Sequence, residues 1–101
     1  PFRSTVSTVL TGDFNMRPQA AARLRLEKPS PGYDPMIDAW RALNPDRPHP
    51  PSFCIADQTY GEPHCADYVL VSRDLARRLS AIAYDQDTRL SDHQPVVVDF
   101  D

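Results

Sequence analysis

Three acidic positions in this 101-residue chain are placed to do chemistry: Asp13 followed by Asn15, Asp67, and Asp92 followed by His93. Each lies at or beside the end of a run of apolar or β-branched residues. Carboxylates at strand ends converge on one rim of a sheet, and their clustering makes sense if a hard divalent cation and a phosphate occupy the space between them. A carboxylate beside a histidine favours the imidazolium, which stabilises the charge of a five-coordinate phosphoryl transition state. The bland readings are local ones. Gly12-Asp13 and Asn15 are ordinary turn residues, Asp67 could open a solvated strand, and Asp92 could cap a turn. The presence of all three together is what favours chemistry. Ser91-Asp92-His93 spells the residue types of a hydrolytic triad, but consecutive side chains diverge and a triad must converge. His49, Cys54, His64 and Cys65 lack the Cys-x-x-Cys spacing of a zinc knuckle.

The elements that must position these groups are readable in outline. Residues 4–11 are rich in Val and Thr and end at Gly12, which predicts a strand running into a turn. Pro18 and the Ala20–Ala22 run predict a helix over 18–26, stopped by Pro29-Ser30-Pro31-Gly32. Met36, Ile37, Trp40 and Leu43 share one face at helical spacing and predict a second helix over 35–43. Four prolines make 44–52 an irregular loop. Residues 53–56 predict a short strand and 57–63 a turn. The nearly all-apolar run Asp67-Tyr68-Val69-Leu70-Val71 is the pattern of a strand buried on both faces. Ser72 or Asp74 caps a helical turn through Leu75, Ala76 and Arg77, and strands follow over 79–84 and 94–100. About five strands and two or three short helices, without regular strand–helix alternation, predict an α/β (α+β) layered architecture.

Composition narrows the function classes. The net charge of −3 gives the chain no global attraction to a polyanion, and Arg73, Arg77 and Arg78 read as a solvated helix face. No apolar run approaches the roughly 20 residues needed to span a bilayer. Pro1-Phe2-Arg3-Ser4 lacks a methionine and an apolar leader, so a soluble piece trimmed at its N-terminus is expected. Two cysteines are too few for a disulfide scaffold; Cys54 and Cys65 are expected reduced and partly buried, in a cytoplasmic setting.

Taken in order, Gly12-Asp13-Phe14-Asn15, Asp67-Tyr68-Val69-Leu70-Val71-Ser72 and Ser91-Asp92-His93-Gln94-Pro95-Val96 resemble the C-terminal half of the endonuclease/exonuclease/phosphatase (DNase I-like) family. Asp38-Ala39-Trp40-Arg41 is similar to that family's connecting segment. The match spans residues 6–100, with one departure: His64-Cys65-Ala66 stands where many members carry a basic residue followed by an aliphatic one. The resemblance implies half of a two-sheet β-sandwich flanked by helices, with residues 1–101 forming a partial domain whose N-terminal half, including a metal-binding glutamate, is absent. It implies Mg²⁺- or Mn²⁺-dependent hydrolysis of a phosphoester in the full-length protein. Nucleic acid, an inositol phosphate or a lipid head group would be the substrate.

Roles carry over residue by residue. By resemblance, Asp13 orients or deprotonates the attacking water and contributes to the metal site, Asn15 donates to the phosphoryl oxygens, and Asp92 is a metal-associated carboxylate. His93 contacts the scissile phosphate, and Asp67 orients and charges His93. The alternative is a non-catalytic truncated fragment with a structural or self-association role only. Removal of half a sandwich also predicts an apolar exposed face, or a homodimer that covers it.

Overall fold

The computed structural model describes residues 6–32 and 34–101. Its centre is the run that the sequence marks as doubly buried. Strand β3 (Asp67–Val71) is flanked by β1 (Val9–Asp13) on one side and by the two-residue β2 (Ile37–Asp38) on the other, all antiparallel. A second antiparallel sheet pairs β4 (Leu79–Tyr84) with β5 (Val96–Phe100). Three short helices complete the described chain: α1 (Ala21–Leu24), α2 (Ala39–Leu43) and α3 (Arg73–Ala76). The architecture is a small α+β one with two antiparallel sheets and few helices.

Alternation along β3 explains the layering. Val69 and Val71 point to one side and pack, with Ala39, against Ile82, Val96 and Val98 of the second sheet. Tyr68 lies against Trp40, Cys65 and Tyr84, and Leu70 is fully buried. Each such side chain contributes about 2 kcal/mol by leaving water. Both cysteines are buried, and no disulfide joins them.

Several boundaries differ from the sequence pattern. Residues 4 and 5 of the first expected strand lie outside the described residues, and the strand itself starts at Val9 and runs through Gly12 to Asp13. The helix expected over 18–26 shortens to α1 and a 3₁₀ turn, Arg25–Glu27. The helix expected over 35–43 is half strand: Ile37 and Asp38 pair with Val71 and Leu70, and helix begins only at Ala39. The cause is Asp38, whose Oδ1 accepts from the Trp40 and Arg41 backbone N–H groups and so fixes the helix start at itself. Residues 53–56 form no strand; Phe53 makes isolated bridges to His64 and His93, and Cys54 takes a left-handed turn at φ 63°. The last strand starts at Val96 rather than residue 94.

The face of α1 toward β3 carries a buried charge cluster. The Arg23 guanidinium is completely buried, ion-paired to Asp38 and Glu27, and lies 4.5 Å from the centre of the Tyr68 ring. Asp38 Oδ2 also receives His49 Nε2 at 2.6 Å. Burying an unpaired guanidinium would be prohibitive, so these partners are conditions for α1 packing where it does.

Candidate functional site

Antiparallel pairing sets Asp13, the last residue of β1, directly opposite Asp67, the first residue of β3. Beyond Asp13 the chain turns sharply. The Asn15 N–H donates to Asp13 Oδ1 at 2.8 Å, and Asn15 adopts φ 52°, a left-handed conformation that asparagine tolerates. The turn places Asn15 beside Asp13 at the end of β1. Gly12, at φ 148°, supplies the backbone freedom just before it.

His93 arrives from the opposite end of the sequence. The segment Ser52–Phe53 carries it there by bridging two otherwise separate loops. Phe53 exchanges hydrogen bonds with His64, Ser52 C=O accepts from Gln94 N–H at 2.8 Å, and Phe53 forms a bridge to His93. The Phe53 ring stacks on the imidazole, with centroids 4.5 Å apart and planes 23° apart. His93 Nδ1 lies 2.8 Å from Asp67 Oδ2, and Nε2 lies 3.5 Å from Asp13 Oδ2. One donor atom from each of Asp13, Asp67 and His93 falls within 4.8 Å of the others.

A second tier fixes Asp67. The buried Ser52 hydroxyl donates to Asp67 Oδ2 at 2.7 Å and accepts from the Ala66 and Asp67 N–H groups at 2.9 and 3.1 Å. The Tyr84 hydroxyl donates to the Asp67 carbonyl at 2.8 Å. Asp67 is thus held from three directions, and its Oδ2 is shared between a hydroxyl and the imidazole. The hydrogen bond to Asp67 raises the His93 pKa; burial opposes it, and the charges of Asp67, Asp13 and Asp92 each add a smaller upward push. The imidazole is a base made stronger, with Nδ1–H oriented by Asp67 and Nε2 directed at the rim.

The structure therefore brings together Asp13, Asp67 and His93 and places Asn15 on the turn beside Asp13. Asp92, expected as a metal-associated carboxylate, stands apart from this trio. It is exposed, its Oδ1 accepts weakly from Ser91 Oγ at 3.4 Å, and it acts on His93 through space. Sequence reasoning missed Ser52 and Phe53, which lie at the end of a proline-rich stretch with no periodicity to reveal them. His64 turns its Nδ1 to the Glu62 carbonyl at 2.8 Å, and Arg73, Arg77 and Arg78 are exposed on and after α3. Among the described residues no helix is long and apolar enough to cross a membrane.

No protein-family model, no curated protein and no solved structure matches the chain.

Proposed function

We propose that the Asp13–Asn15–Asp67–His93 rim hydrolyses phosphoester bonds in the full-length protein with the help of a divalent cation, Mg²⁺ or Mn²⁺. The observation that carries the reading is the chain of contacts from Asp67 through His93 to Asp13. Two carboxylates flanking one imidazole, on residues from three distant parts of the sequence, is an arrangement with little purpose in packing. It is the arrangement that the resemblance to the endonuclease/exonuclease/phosphatase family implies.

The donor set suits a hard cation. Asp13 and Asp67 offer oxygen ligands on one rim, and Mg²⁺ keeps several waters, so few protein carboxylates suffice. When bound, the ion would supply positive charge to a phosphoryl oxygen and make water more acidic. The protein's own groups divide the remaining work. Asp67 holds the imidazole ring and stabilises its protonated form, so that Nε2–H donates to a non-bridging phosphoryl oxygen. The exposed Asp13 carboxylate accepts a proton from the attacking water. The Asn15 side-chain amide, on the turn beside Asp13, donates to a second phosphoryl oxygen.

The test is hydrolysis of bis-p-nitrophenyl phosphate with Mg²⁺. The variants Asp13→Asn and His93→Ala should each lose about a hundredfold or more in kcat, and a chelator should remove the activity reversibly. Unchanged turnover in both variants would sink the assignment. A second reading, a structural role through self-association, draws on β1, whose five residues are all exposed at the sheet edge and include Val9 and Leu10.

A further inference from the structure

A cavity of about 530 Å³ is lined in part by Arg17, Arg41 and Arg47. Its position relative to the rim follows from the chain. Arg17 is two residues beyond Asn15, and Cys65, also in the wall, is two residues before Asp67, so these two lining residues lie within about 8 Å, Cα to Cα, of Asn15 and Asp67 respectively. The Tyr68 hydroxyl sits between the two edges, 2.8 Å from the Met16 carbonyl oxygen and 2.9 Å from the Cys65 carbonyl oxygen, its single proton shared between them.

The charge of this cavity runs against that of the molecule. The lining holds three arginines and one acidic residue, Asp46, in a chain whose net charge is −3. Arg41 has Glu27 at 3.6 Å, but Arg17 and Arg47 make no ion pair among the described residues. Pro45 and Pro48 stiffen the wall that carries Arg47, whose carbonyl is pinned by the Trp40 indole N–H at 3.1 Å. Guanidiniums held on a stiff concave wall present forked donors suited to phosphate oxygens, and the volume is that of a small-ligand cleft.

We infer that this cavity binds a phosphate of the substrate other than the one that reacts, with Arg17 and Arg47 as its principal ligands. The choice of phosphate rests on the proposed phosphoester chemistry of the adjoining rim. Substrates carrying two phosphates, whether a nucleotide with a neighbouring phosphate or a multiply phosphorylated inositol, would be favoured over monophosphorylated ones.

Binding tests this separately from catalysis. Inorganic phosphate is titrated into ¹⁵N-labelled protein, with the Arg17 and Arg47 Nε–H signals and the Trp40 indole N–H as readouts. Saturable shifts of these signals are expected, weakened about tenfold in each of Arg17→Gln and Arg47→Gln and partly restored in Arg47→Lys. In His93→Ala the same shifts should persist. Shifts confined to the Asn15–His93 rim, or affinities unaltered in both arginine variants, would overturn the inference while leaving the rim's chemistry standing. Persistent cavity binding with hydrolysis unchanged in His93→Ala would do the reverse. Adenosine monophosphate and inositol monophosphate form the second arm: tighter binding of one over the other identifies the body that carries the phosphate, and binding of neither counts against the site.

Discussion

Replacing Asp67 with asparagine separates the electrostatic role of this carboxylate from its shape. The side chain keeps its size and one oxygen, but the charge that faces His93 Nδ1 across 2.8 Å is lost. A hydrogen bond to a charged partner contributes roughly 1.5–3 kcal/mol when buried. Here the His93 and Asp67 side chains are 29% and 17% exposed, so solvent screens the pair and about 1 kcal/mol is expected. The sign follows from linkage. His93's folded pKa is raised, so its contribution to stability is fully present below the unfolded value near 6.5 and disappears as pH rises through the higher folded value. Asp67→Asn should therefore be less stable than the parent by about 1 kcal/mol at pH 6, with the gap narrowing at alkaline pH. Urea unfolding at a series of pH values reads the stability. An NMR titration of the His93 Cε1–H, one of only three histidine signals, should show its midpoint falling. An unmoved or higher His93 midpoint in Asp67→Asn would refute the claim that Asp67 charges the imidazole.

His49 predicts the opposite pH behaviour. Burial, reinforced by Arg23 and Arg41, lowers its pKa to about 4, so stability is lost as pH falls from 6.5 toward 4 while the unfolded chain takes up a proton that the folded one refuses. His49→Gln should abolish roughly 2 kcal/mol of that loss, less than the full shift implies because part of the ring's surroundings is polar; an identical pH profile in the variant would contradict it. Asp38→Ala removes the α2 cap and leaves the buried Arg23 with Glu27 alone, which should cost about 4 kcal/mol in chemical denaturation; a cost below about 1 kcal/mol would mean Arg23 is not held as described. If the β1 edge self-associates, Leu10→Lys should shift the sedimentation coefficient from dimer to monomer at high concentration, and a monomeric parent protein would dispose of that role.

What the sequence makes legible here depends on how local the cause is. β3 is legible because burial on both faces demands an unbroken apolar run, and Val69, Leu70 and Val71 meet that demand within three residues. Asp13 and Asp67 are legible because they sit at strand ends, where side-chain direction follows from the pleat. Residues 35–38 mislead because Met36 and Ile37 happen to fall on the face that Trp40 and Leu43 define, while the decisive fact is the pairing of Ile37 with Val71, far along the chain. Asp38 itself carried a local signal, being a good N-cap residue directly before Ala-Trp-Arg. Nothing local announces that Arg23 will be buried: a short helix that follows three alanines with Arg23-Leu24 reads as a surface helix until Asp38, Glu27 and Tyr68 close around the guanidinium. Ser52 is silent for the same reason. Its hydroxyl matters only because Asp67 and Ala66 come to it. Asp92 shows the converse, an acidic neighbour of a histidine in sequence that is exposed and lies outside the Asp13–Asp67–His93 group.

The placement of β3 between β1 and β2 has a consequence for how the molecule reaches this state. Both strands paired with the central strand come from the first 40 residues, and Val9 must find Val71 before the sheet exists. Loop closures of that span are slow, and little local helix is available to nucleate folding ahead of them. Asp13, Asp67 and His93 meet only when the first strand, the central strand and the loop before the last strand have all docked. The rim is therefore a late product of folding, and the His93 signal would serve as a clock for its final step.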